Sequence, residues 1–534
     1  MNLTKEILEK QNKDLRARIS NMTVKADIRE QEFNGQIAQL KIESCEMPNQ
    51  IRMLQQGISQ RDKKIDELTV ANKSLKKENS KLAAIIERLK LIVGKLKARL
   101  SKNSTTSDKP SSSEPFKKPK PQSLREKSGK KPGGQVGHPG HGLKLFDNPT
   151  EVIEIKPAIC DNCEGCDECA LKYTARQKVD VNLTVNIIEE RVYEGVCPRS
   201  NQMVKGSFSK GYNNPVQYGE NLKSAVALIS EHGCVSVSKT AEIINSMSES
   251  ILNISCGTVI NIQRELSKNL ATTIEIIRVG LCAGYVLNAD ETGCRVNGSL
   301  QWIQVFCNDQ FALFNPNKKR GDIDDDDNFG LLSYFVGILI HDHFISYYKY
   351  EQLTHGECNE HILRYLKSLI EIFKHSWAQE MSDLLKSACH EKNELVRAGK
   401  TEMPPDEIAA FSLKYDAILE KGKSEYLAAT GGNKKRESYY VDERRLLSRL
   451  EEYKEQHMLF LTDFRAPFTN NNAERCCRAV KCKQKVSGCF RSDEGAIVFA
   501  RILSLIITLK KQNKNIYTGI RDVFSGKIPI LSTS

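Results

Sequence analysis

The chain has no apolar run that approaches the roughly 18–20 residues of a membrane span. Its first residues, 1–10, are polar and lack the apolar core of a signal peptide. These absences predict a cytoplasmic protein without a membrane partner. In that compartment the 17 cysteines are expected to be thiols or metal ligands rather than disulfides.

Acidic residues are nearly missing from residues 115–135, where Glu126 is the single acid among seven lysines and arginines. The surrounding residues, 101–145, are rich in Pro, Gly and Ser and cannot build a packed core. We interpret 101–145 as a basic disordered linker that follows a DNA phosphate backbone, and a solvated linker without a partner is the alternative. The lysines expected to bind DNA are Lys117, Lys118, Lys120, Lys130 and Lys131.

Residues 1–100 carry a heptad repeat that predicts a coiled coil. The d positions are Leu68, Leu75, Leu82, Leu89 and Leu96. The a positions are Ile65, Asn72, Asn79, Ile86, Val93 and Leu100. Leucine at d, β-branched residues at a and asparagines at a favour a parallel homodimer in fixed register. One long amphipathic helix packed on its own protein is the alternative.

Clustered cysteines open the next module, residues 146–205. Cys160 and Cys163 form a Cys-x-x-Cys knuckle, a spacing that lets two thiolates bind one tetrahedral zinc ion. Strands are predicted at 178–185 and 187–193, leading to a second knuckle that keeps only Cys197. The expected Zn²⁺ ligands are Cys160, Cys163 and Cys197, with Cys166 or Cys169 as the fourth. A decayed site with reduced surface cysteines is equally open.

Residues 206–280 have a helical pattern. Segments 237–244 and 254–262 resemble a helix-turn-helix, a DNA-binding motif, with Ser255 as the N-cap of the second helix. Helical hairpins are common, so an ordinary helical domain is the alternative.

Residues 281–500 are predicted to form a catalytic core. Strands are predicted at 285–289, 300–307, 311–314 and 336–340, with a helix at about 329–334 before the last strand. Three strands as a meander, a helix and another strand are the opening of a ribonuclease-H-like fold. Asp290 is expected to end the first strand and Asp342 to follow the fourth, so both side chains would reach one edge of the sheet.

The third carboxylate of the core, Glu474, opens a helix far downstream of Asp342. The intervening residues, about 355–465, are largely helical, are broken at Pro404-Pro405 and Gly431-Gly432, and are interpreted as an inserted helical domain. Three carboxylates on a sheet and a helix can hold two divalent cations for phosphoryl transfer. The expected fold class is therefore multidomain, α plus α/β, with 501–534 as a C-terminal tail.

Several motifs in this order resemble those of the insertion-sequence 66 (IS66) family of transposases. They are the linker Lys130-Lys-Pro-Gly-Gly-Gln-Val-Gly-His138, the cysteine knuckle, Ala289-Asp-Glu-Thr292, Trp302, Gly337 to Asp342, Cys358-Asn-Glu-His361-Ile-Leu-Arg364 and Asn471-Asn-Ala-Glu474-Arg-Cys-Cys-Arg478, continuing to Gly495-Ala496. The resemblance extends from the coiled coil to about Tyr517.

The resemblance implies that Asp290, Asp342 and Glu474 are the catalytic triad and bind two Mg²⁺ ions, with Mn²⁺ as a substitute. The implied reaction cuts double-stranded DNA at transposon terminal repeats and transfers the freed 3′-hydroxyl into target DNA. Arg478 and Lys481 would hold a phosphate beside the scissile bond. Small accessory transposition proteins and a nucleoid location are further expectations. The alternative is a catalytically silent or domesticated DNA-binding relic.

Other candidate residues receive weaker interpretations. Glu291 is the rival ligand to Asp290, but on a strand its side chain points to the opposite face. Cys358 and His361 have metal-ligand spacing, yet are interpreted as a structural helix motif near the active site. The histidines beside Asp342, His341 and His343, are expected to crowd or tune the metal site. The acidic run 324–327 is interpreted as a solvated loop.

Overall fold

The computed structural model describes residues 58–100, 137, 145–155, 172–181, 183–209, 211–323 and 330–529. Several predicted features lie outside these residues. They are coiled-coil residues 1–57, linker lysines Lys117, Lys118, Lys120, Lys130 and Lys131, knuckle cysteines Cys160, Cys163, Cys166 and Cys169, and the acidic run 324–327. Among the described residues, 58–100, 218–241 and 255–529 belong to one compact unit. The described residues within 145–217, together with 242–254, belong to a second.

The helices of the described residues are numbered in chain order. They are α1 (Ile58–Leu100), α2 (Glu220–Ala227), α3 (Val237–Met247), α4 (Cys256–Asn269), α5 (Ala271–Cys282), α6 (Leu331–Tyr334), α7 (Asn359–Phe373), α8 (Ser376–Arg397), α9 (Pro405–Thr430), α10 (Lys434–Glu437), α11 (Val441–Glu452), α12 (Lys454–Thr462), α13 (Asn471–Ser487), α14 (Asp493–Lys511) and α15 (Ile516–Phe524). A π-helical turn, Leu228–His232, continues α2. None of these helices is long and apolar enough to cross a membrane.

Helix α1 covers the predicted leucine heptads without a break over 43 residues. Its a-position side chains Ile86 and Val93 are about half exposed, 50% and 47%. An isolated helix with such an apolar seam gains stability by packing the seam against a partner. The coiled-coil homodimer stays a prediction.

The smaller unit contains a short antiparallel hairpin of β1 (Glu194–Val196) and β2 (Met203–Lys205). The strands predicted at 178–185 and 187–193 are wrong for the described residues there, which form no β-ladder. Their apolar side chains, among them Val181 and Ile187, are 77% and 79% exposed. A segment with the composition of a β-strand forms one only where an adjacent strand can pair with its backbone hydrogen-bonding groups.

The predicted helices of the helix-turn-helix segment are present as α3 and α4. Ser255 caps α4 as expected, because its side chain accepts a hydrogen bond from the Thr258 backbone N–H. Whether the pair binds DNA stays a prediction.

The main unit is built on a five-stranded mixed sheet. Its strands are β3 (Val286–Val296), β4 (Ser299–Cys307), β5 (Ala312–Asn317), β6 (Ile338–His341) and β7 (Thr354–Glu357), in the spatial order β5-β4-β3-β6-β7. β3, β4 and β5 form an antiparallel meander, whereas β6 and β7 run parallel to β3. The predicted meander, helix and further strand are all present. β7 was not predicted.

Asp290 lies in the middle of β3 and does not end it, which corrects the expectation from the sequence. On one side β3 continues to Val296, because β4 pairs with it along its length. On the other side the parallel ladder with β6 stops at Asn288. Asp290 therefore lies just past the point where β6 ceases to cover β3, and Asp342 directly follows β6 at the same edge.

Each face of the sheet has its own apolar core, because side chains alternate along a strand. Leu287 and Ala289 of β3 pack on one face with residues of α4, α5, α14 and α15. Cys294 and Val296 pack on the opposite face with residues of α13 and α14. Helix α13, which carries Glu474, is thus fixed against the face that Asp290 shares with Cys294.

Residues after 500 form part of the apolar core that contains Leu287 and Ala289. The expectation of a C-terminal tail at 501–534 is therefore wrong for the described residues up to 529. The buried members are Ile502, Leu505, Ile506 and Leu509 of α14 with Ile520 and Val523 of α15. Their spacing gives each helix an apolar stripe, and the sheet supplies the surface that buries it.

A separate apolar core is formed by helices that lie between β7 and α13 in the sequence. They are α7, α8, α9, α11 and α12. Trp377 and Tyr415 are fully buried in it. The breaks seen in the sequence are helix boundaries: Pro405 takes the first turn of α9, and Gly431, in the left-handed region, ends it. The helical insertion expected at about 355–465 covers these helices and stays a prediction.

Gly337 determines how closely the chain approaches β3 before it enters β6. Its φ is +153°, and an added Cβ would collide with the carbonyl oxygen of Tyr285, which accepts a 2.9 Å hydrogen bond from Ile338 N–H. We expect Gly337→Ala to lower the free energy of unfolding of this unit by about 2–3 kcal/mol, measured as a lower midpoint of thermal unfolding.

Gly257→Ala is the matched control, because a Cβ at this position in α4 meets only the Ser255 side chain at an ordinary 3.6 Å. It should leave the free energy of unfolding unchanged or raise it by up to about 1 kcal/mol, so the midpoint should not fall. Equal midpoints for the two variants would contradict the role of Gly337.

Candidate metal centre

Asp290 projects from β3 toward helix α13. Its Oδ1 accepts a 2.8 Å hydrogen bond from the Glu291 backbone N–H, and the Cys477 thiol of α13 donates a further bond to its carboxylate. Burial raises the pKa of Asp290 well above its usual value, and the negative charges of Asp342, Glu291 and Glu474 raise it further. Asp290 is therefore close enough to interact electrostatically with each of the other carboxylates.

Asp342 stands at the end of β6 with a fixed backbone conformation. Its Oδ1 accepts a 3.0 Å bond from Phe344 N–H, and its Oδ2 lies 3.8 Å from the guanidinium of Arg320. The Arg320 side chain lies over the rings of Trp302 and Phe344, at 5.0 and 4.2 Å. These ring contacts hold a positive charge next to Asp342.

Glu291, the rival ligand, is occupied by two other partners. Arg320 Nε donates to it at 2.7 Å and the Tyr347 hydroxyl at 2.9 Å. Burial and then the charge of Asp342 raise the pKa of Glu291 to about 7, although Arg320 and Tyr347 oppose the shift. The structure thus gives Glu291 a role in holding Arg320, on the face of β3 opposite to Asp290.

Glu474 lies in the first turn of α13, where the helix dipole favours a negative charge. Its Oε1 is 3.9 Å from His361 Nε2 and its Oε2 is 3.6 Å from Arg364 Nη2, both side chains of α7. Oε1 is buried and has no hydrogen-bond partner among the described residues. The carboxylate is therefore oriented by α7 while one oxygen keeps its full capacity to bind a ligand.

Asn470 joins the three segments that carry this site. Its side-chain Nδ2 donates to the Ala289 carbonyl at 2.6 Å, and its Oδ1 accepts from Asn288 Nδ2 at 2.9 Å. Its backbone N–H donates to Cys358 Sγ at 3.1 Å, and its carbonyl accepts from Glu474 N–H at 3.2 Å. The side chain does not cap α13. It fixes α13 to β3 instead.

The arrangement of these carboxylates suits a hard divalent cation. The charges of Asp342 and Glu474 oppose the ionisation of Asp290, and a cation bound among the three would remove that repulsion. The oxygen donor set is the kind that Mg²⁺ and Mn²⁺ prefer. A cavity of about 180 Å³ adjoins the site. Its lining residues are Arg320, Asp342, His343, Phe344, His361, Tyr365 and Arg449.

A second buried carboxylate, Glu357 at the end of β7, connects the sheet to the helical insertion. Arg449 of α11 donates to it at 2.8 Å and the Tyr348 hydroxyl at 2.7 Å, and His343 is also bonded to it. Burial alone would raise the pKa of Glu357, but the hydrogen bond from His343 and the charges of His457 and Arg449 hold it well below its usual range.

The histidines beside Asp342 do not crowd its carboxylate. Burial lowers the pKa of His341 to about 3, and its Nε2 lies 3.0 Å from His355 Nδ1. His343 turns to Glu357. Of the two, His343 alone lines the cavity beside Asp342.

The two cations predicted on α13 have different surroundings. Arg478 is exposed. Lys481 is partly buried, and its ammonium group donates to the carbonyl of Gly293 in β3 and, at 3.3 Å, to Gln484. Among the described residues, Arg478 is thus the freer of the two to meet a phosphate.

Cys197 is the one predicted zinc ligand in the described part of the chain. It precedes the turn between β1 and β2, and its carbonyl accepts from Asn201 N–H at 2.8 Å. A hydrogen bond from the Ser200 side chain lowers the pKa of the Cys197 thiol. A lowered pKa favours the thiolate form that binds metals. The zinc site itself stays a prediction.

Sequence reasoning missed Arg320, Asn470 and the Glu357 cluster, and gave Cys358 and His361 only a structural role. No local pattern identifies an asparagine that bonds to a strand far away along the chain. The Cys-x-x-His spacing was a usable signal, since Cys358, His361 and Glu474 have ligand atoms that all lie within 4.8 Å of one another.

Two family models match the chain. One, described as transposase IS66 family, covers residues 218–497, which is more than half of the chain. The other, described as a family of unknown function (DUF6444), covers residues 10–144. No curated protein matches the chain.

We expect Asn470→Ala to destabilise the main unit by about 2–4 kcal/mol, because it leaves the buried Asn288 amide and Ala289 carbonyl unpaired. Thermal unfolding measures the loss. Asn471→Ala, at the exposed neighbouring position, is the control and should change stability by no more than about 0.5 kcal/mol. Equal losses in the two variants would show that Asn470 does not hold α13 to β3.

Asp290→Asn should stabilise the chain in EDTA at about pH 7.5, raising the unfolding midpoint by about 2–8 °C, because it removes a charge that three carboxylates repel. Mg²⁺ should raise the midpoint of wild type and have little effect on the variant. Asp383→Asn, on the exposed surface of α8, is the control and should behave as wild type.

The raised pKa of a buried carboxylate also predicts a pH dependence for wild type in EDTA. The raised pKa of Glu291 contributes stability that is fully present below about pH 4.5 and is lost as pH rises through about 7. Glu357, with its lowered pKa, loses its contribution only at much lower pH. Stability should therefore fall between about pH 5 and pH 7.5. An unfolding midpoint that rises across this pH range would contradict the predicted pH dependence. An Asp290→Asn variant less stable than wild type in EDTA would contradict the predicted charge repulsion at Asp290.

Proposed function

The chain belongs to the IS66 transposase family, and we propose that it is a DNA transposase that cleaves strands at the terminal repeats of its element and transfers the freed 3′-hydroxyl into target DNA. The observation that carries this proposal is the placement of Asp290 in β3, Asp342 directly after β6 and Glu474 in α13, close enough for the charges of Asp342 and Glu474 to raise the pKa of Asp290. The meander followed by a helix and a parallel strand supports a ribonuclease-H-like core for this chemistry.

Asp290, Asp342 and Glu474 would hold two Mg²⁺ ions, or Mn²⁺. When bound, the ions would supply activation of the attacking water or 3′-hydroxyl and stabilisation of the leaving oxygen. Arg320 and Arg364 would keep the carboxylates of Asp342 and Glu474 in place, since their guanidinium groups lie 3.8 and 3.6 Å away. Positioning and charge neutralisation carry most of the catalysis in phosphoryl transfer.

DNA would reach the site along the exposed side of α13. Arg478 follows Glu474 by one helical turn, so its side chain would contact a phosphate next to the scissile bond. Lys481 would act mainly by holding α13 on β3 through the Gly293 carbonyl.

The remaining parts of the chain would bring two DNA ends together. We propose that the heptads of residues 1–100 form a homodimer, that the linker lysines follow the phosphate backbone, and that α3 and α4 contribute to recognition of the terminal repeat. A zinc ion at Cys160, Cys163, Cys166 and Cys197, small accessory transposition proteins and a nucleoid location complete the proposal.

Asp342→Asn should abolish cleavage of a labelled DNA that carries the element's own terminal repeat. The substitution keeps the size of the side chain and the acceptor for Phe344 N–H but removes the charge that a metal ion requires. Loss of several kcal/mol of charge stabilisation corresponds to a rate at least about a thousandfold lower. Cleavage is measured by gel in Mg²⁺ and in EDTA, and DNA affinity is measured in parallel.

Asp383→Asn should cleave as wild type does, and both variants should keep the affinity of wild type for the repeat. Cleavage by Asp342→Asn in Mg²⁺ at the wild-type rate would refute the assignment of the site. Salt-sensitive binding by every protein, with no cleavage even after the accessory proteins are added, would favour a DNA-binding relic.

A further inference from the structure

Cys358, His361 and Glu474 form a group that the proposed function does not explain. A sulfur, an imidazole nitrogen and a carboxylate oxygen of these residues lie within 4.8 Å of one another. In a tetrahedral zinc site, bonds of about 2.0–2.3 Å put ligand atoms about 3.5 Å apart. An inward shift of about 1 Å would therefore bring the three atoms onto one ion.

Two helix N-termini meet at this group. Cys358 directly precedes α7 and His361 lies in its first turn, whereas Glu474 lies in the first turn of α13. The backbone N–H of Asn470 donates to Cys358 Sγ at 3.1 Å. This hydrogen bond holds the sulfur of Cys358 at the point where α7 and α13 begin.

The carboxylate of Glu474 presents its two oxygens to different partners. Oε2 lies 3.6 Å from the guanidinium of Arg364, which neutralises part of its charge. Oε1 lies 3.9 Å from His361 Nε2, is buried, and has no hydrogen-bond partner within the described part of the chain. A buried carboxylate oxygen of this kind needs a proton donor or a cation. The geometry directs it toward the sulfur and the imidazole.

We propose that Cys358, His361 and Glu474 bind a transition-metal ion such as Zn²⁺ at a site that shares Glu474 with the proposed magnesium centre. Thiolate and imidazole ligands select zinc and its neighbours, whereas Mg²⁺ requires oxygen ligands. Three protein ligands leave a fourth position for water, as in other open zinc sites. An ion here withholds Glu474 from Asp290 and Asp342, so zinc inhibits cleavage. This last consequence rests on the proposed function.

The test titrates the full-length protein with Co²⁺, whose thiolate charge-transfer absorption reports a cysteine ligand directly. Wild type is compared with Cys358→Ser and with Cys389→Ser. Cys389 is a half-buried cysteine of α8 and, within the described residues, belongs to no group of metal-ligand side chains. We expect Cys358→Ser to bind one Co²⁺ fewer and to lose part of the absorption, and Cys389→Ser to match wild type. Any Co²⁺ bound by the cysteines within 160–197 would add the same absorption to wild type and to both variants.

His361→Asn keeps the thiolate and provides a second variant if Cys358→Ser does not fold, which its thermal unfolding would show. We expect it to weaken this Co²⁺ site by at least about tenfold. Wild-type stoichiometry and absorption in a folded Cys358→Ser or His361→Asn variant would overturn the site.

A second arm measures cleavage at fixed Mg²⁺ with increasing Zn²⁺. We expect wild type and Cys389→Ser to be inhibited, and Cys358→Ser to keep a larger share of its own zinc-free rate. Equal inhibition of all three would overturn the inhibitory role. If no protein cleaves DNA, the proposed function has failed, whereas the Co²⁺ measurement still decides whether the site exists.

Discussion

The contacts of Asn470 are the constraint on which the candidate site depends. This buried side chain bonds to both Asn288 and Ala289 of β3, while its backbone bonds to Cys358 and to Glu474. Strand, α7 and α13 are far apart in sequence, so no local interaction sets their distances. A rigid polar link between packed elements is what holds catalytic groups within the small tolerance that metal-dependent chemistry requires.

That precision brings together charges that oppose folding. The charges of Asp342 and Glu474 oppose the ionisation of Asp290, and the protein offsets this partly with Arg320, which lies 3.8 Å from Asp342, and Arg364, which lies 3.6 Å from Glu474. Neither arginine forms a close hydrogen bond with those two carboxylates, since the separations exceed 3.5 Å. Each arginine therefore orients a carboxylate without a short ion pair, as expected where stability and function compete at a candidate site.

The order of strands and helices could be predicted from the sequence because it follows from periodicity, which is local. The meander, α6, β6, the helices that follow β7 and the N-cap at Ser255 are all present. Errors arose where an element needs a distant partner. Segments 178–185 and 187–193 have the composition of strands but no ladder among the described residues, whereas the residues after 500 have a helical stripe that the sheet buries. Composition shows what a segment can form, and tertiary contacts decide whether it does.

Asp290 shows how an incorrect local inference can lead to a useful geometric one. The sequence suggests that β3 ends at this aspartate, whereas β3 continues to Val296 on the side of β4. On the side of β6 the ladder does end, after Asn288. Asp290 and Asp342 therefore lie together just beyond the end of the β3–β6 ladder, while the ladder with β4 continues past them. A mixed sheet permits this, because an antiparallel hairpin can extend beyond a shorter parallel strand. The continuing hairpin gives Asp290 a rigid backbone beside the end of β6, where Asp342 follows.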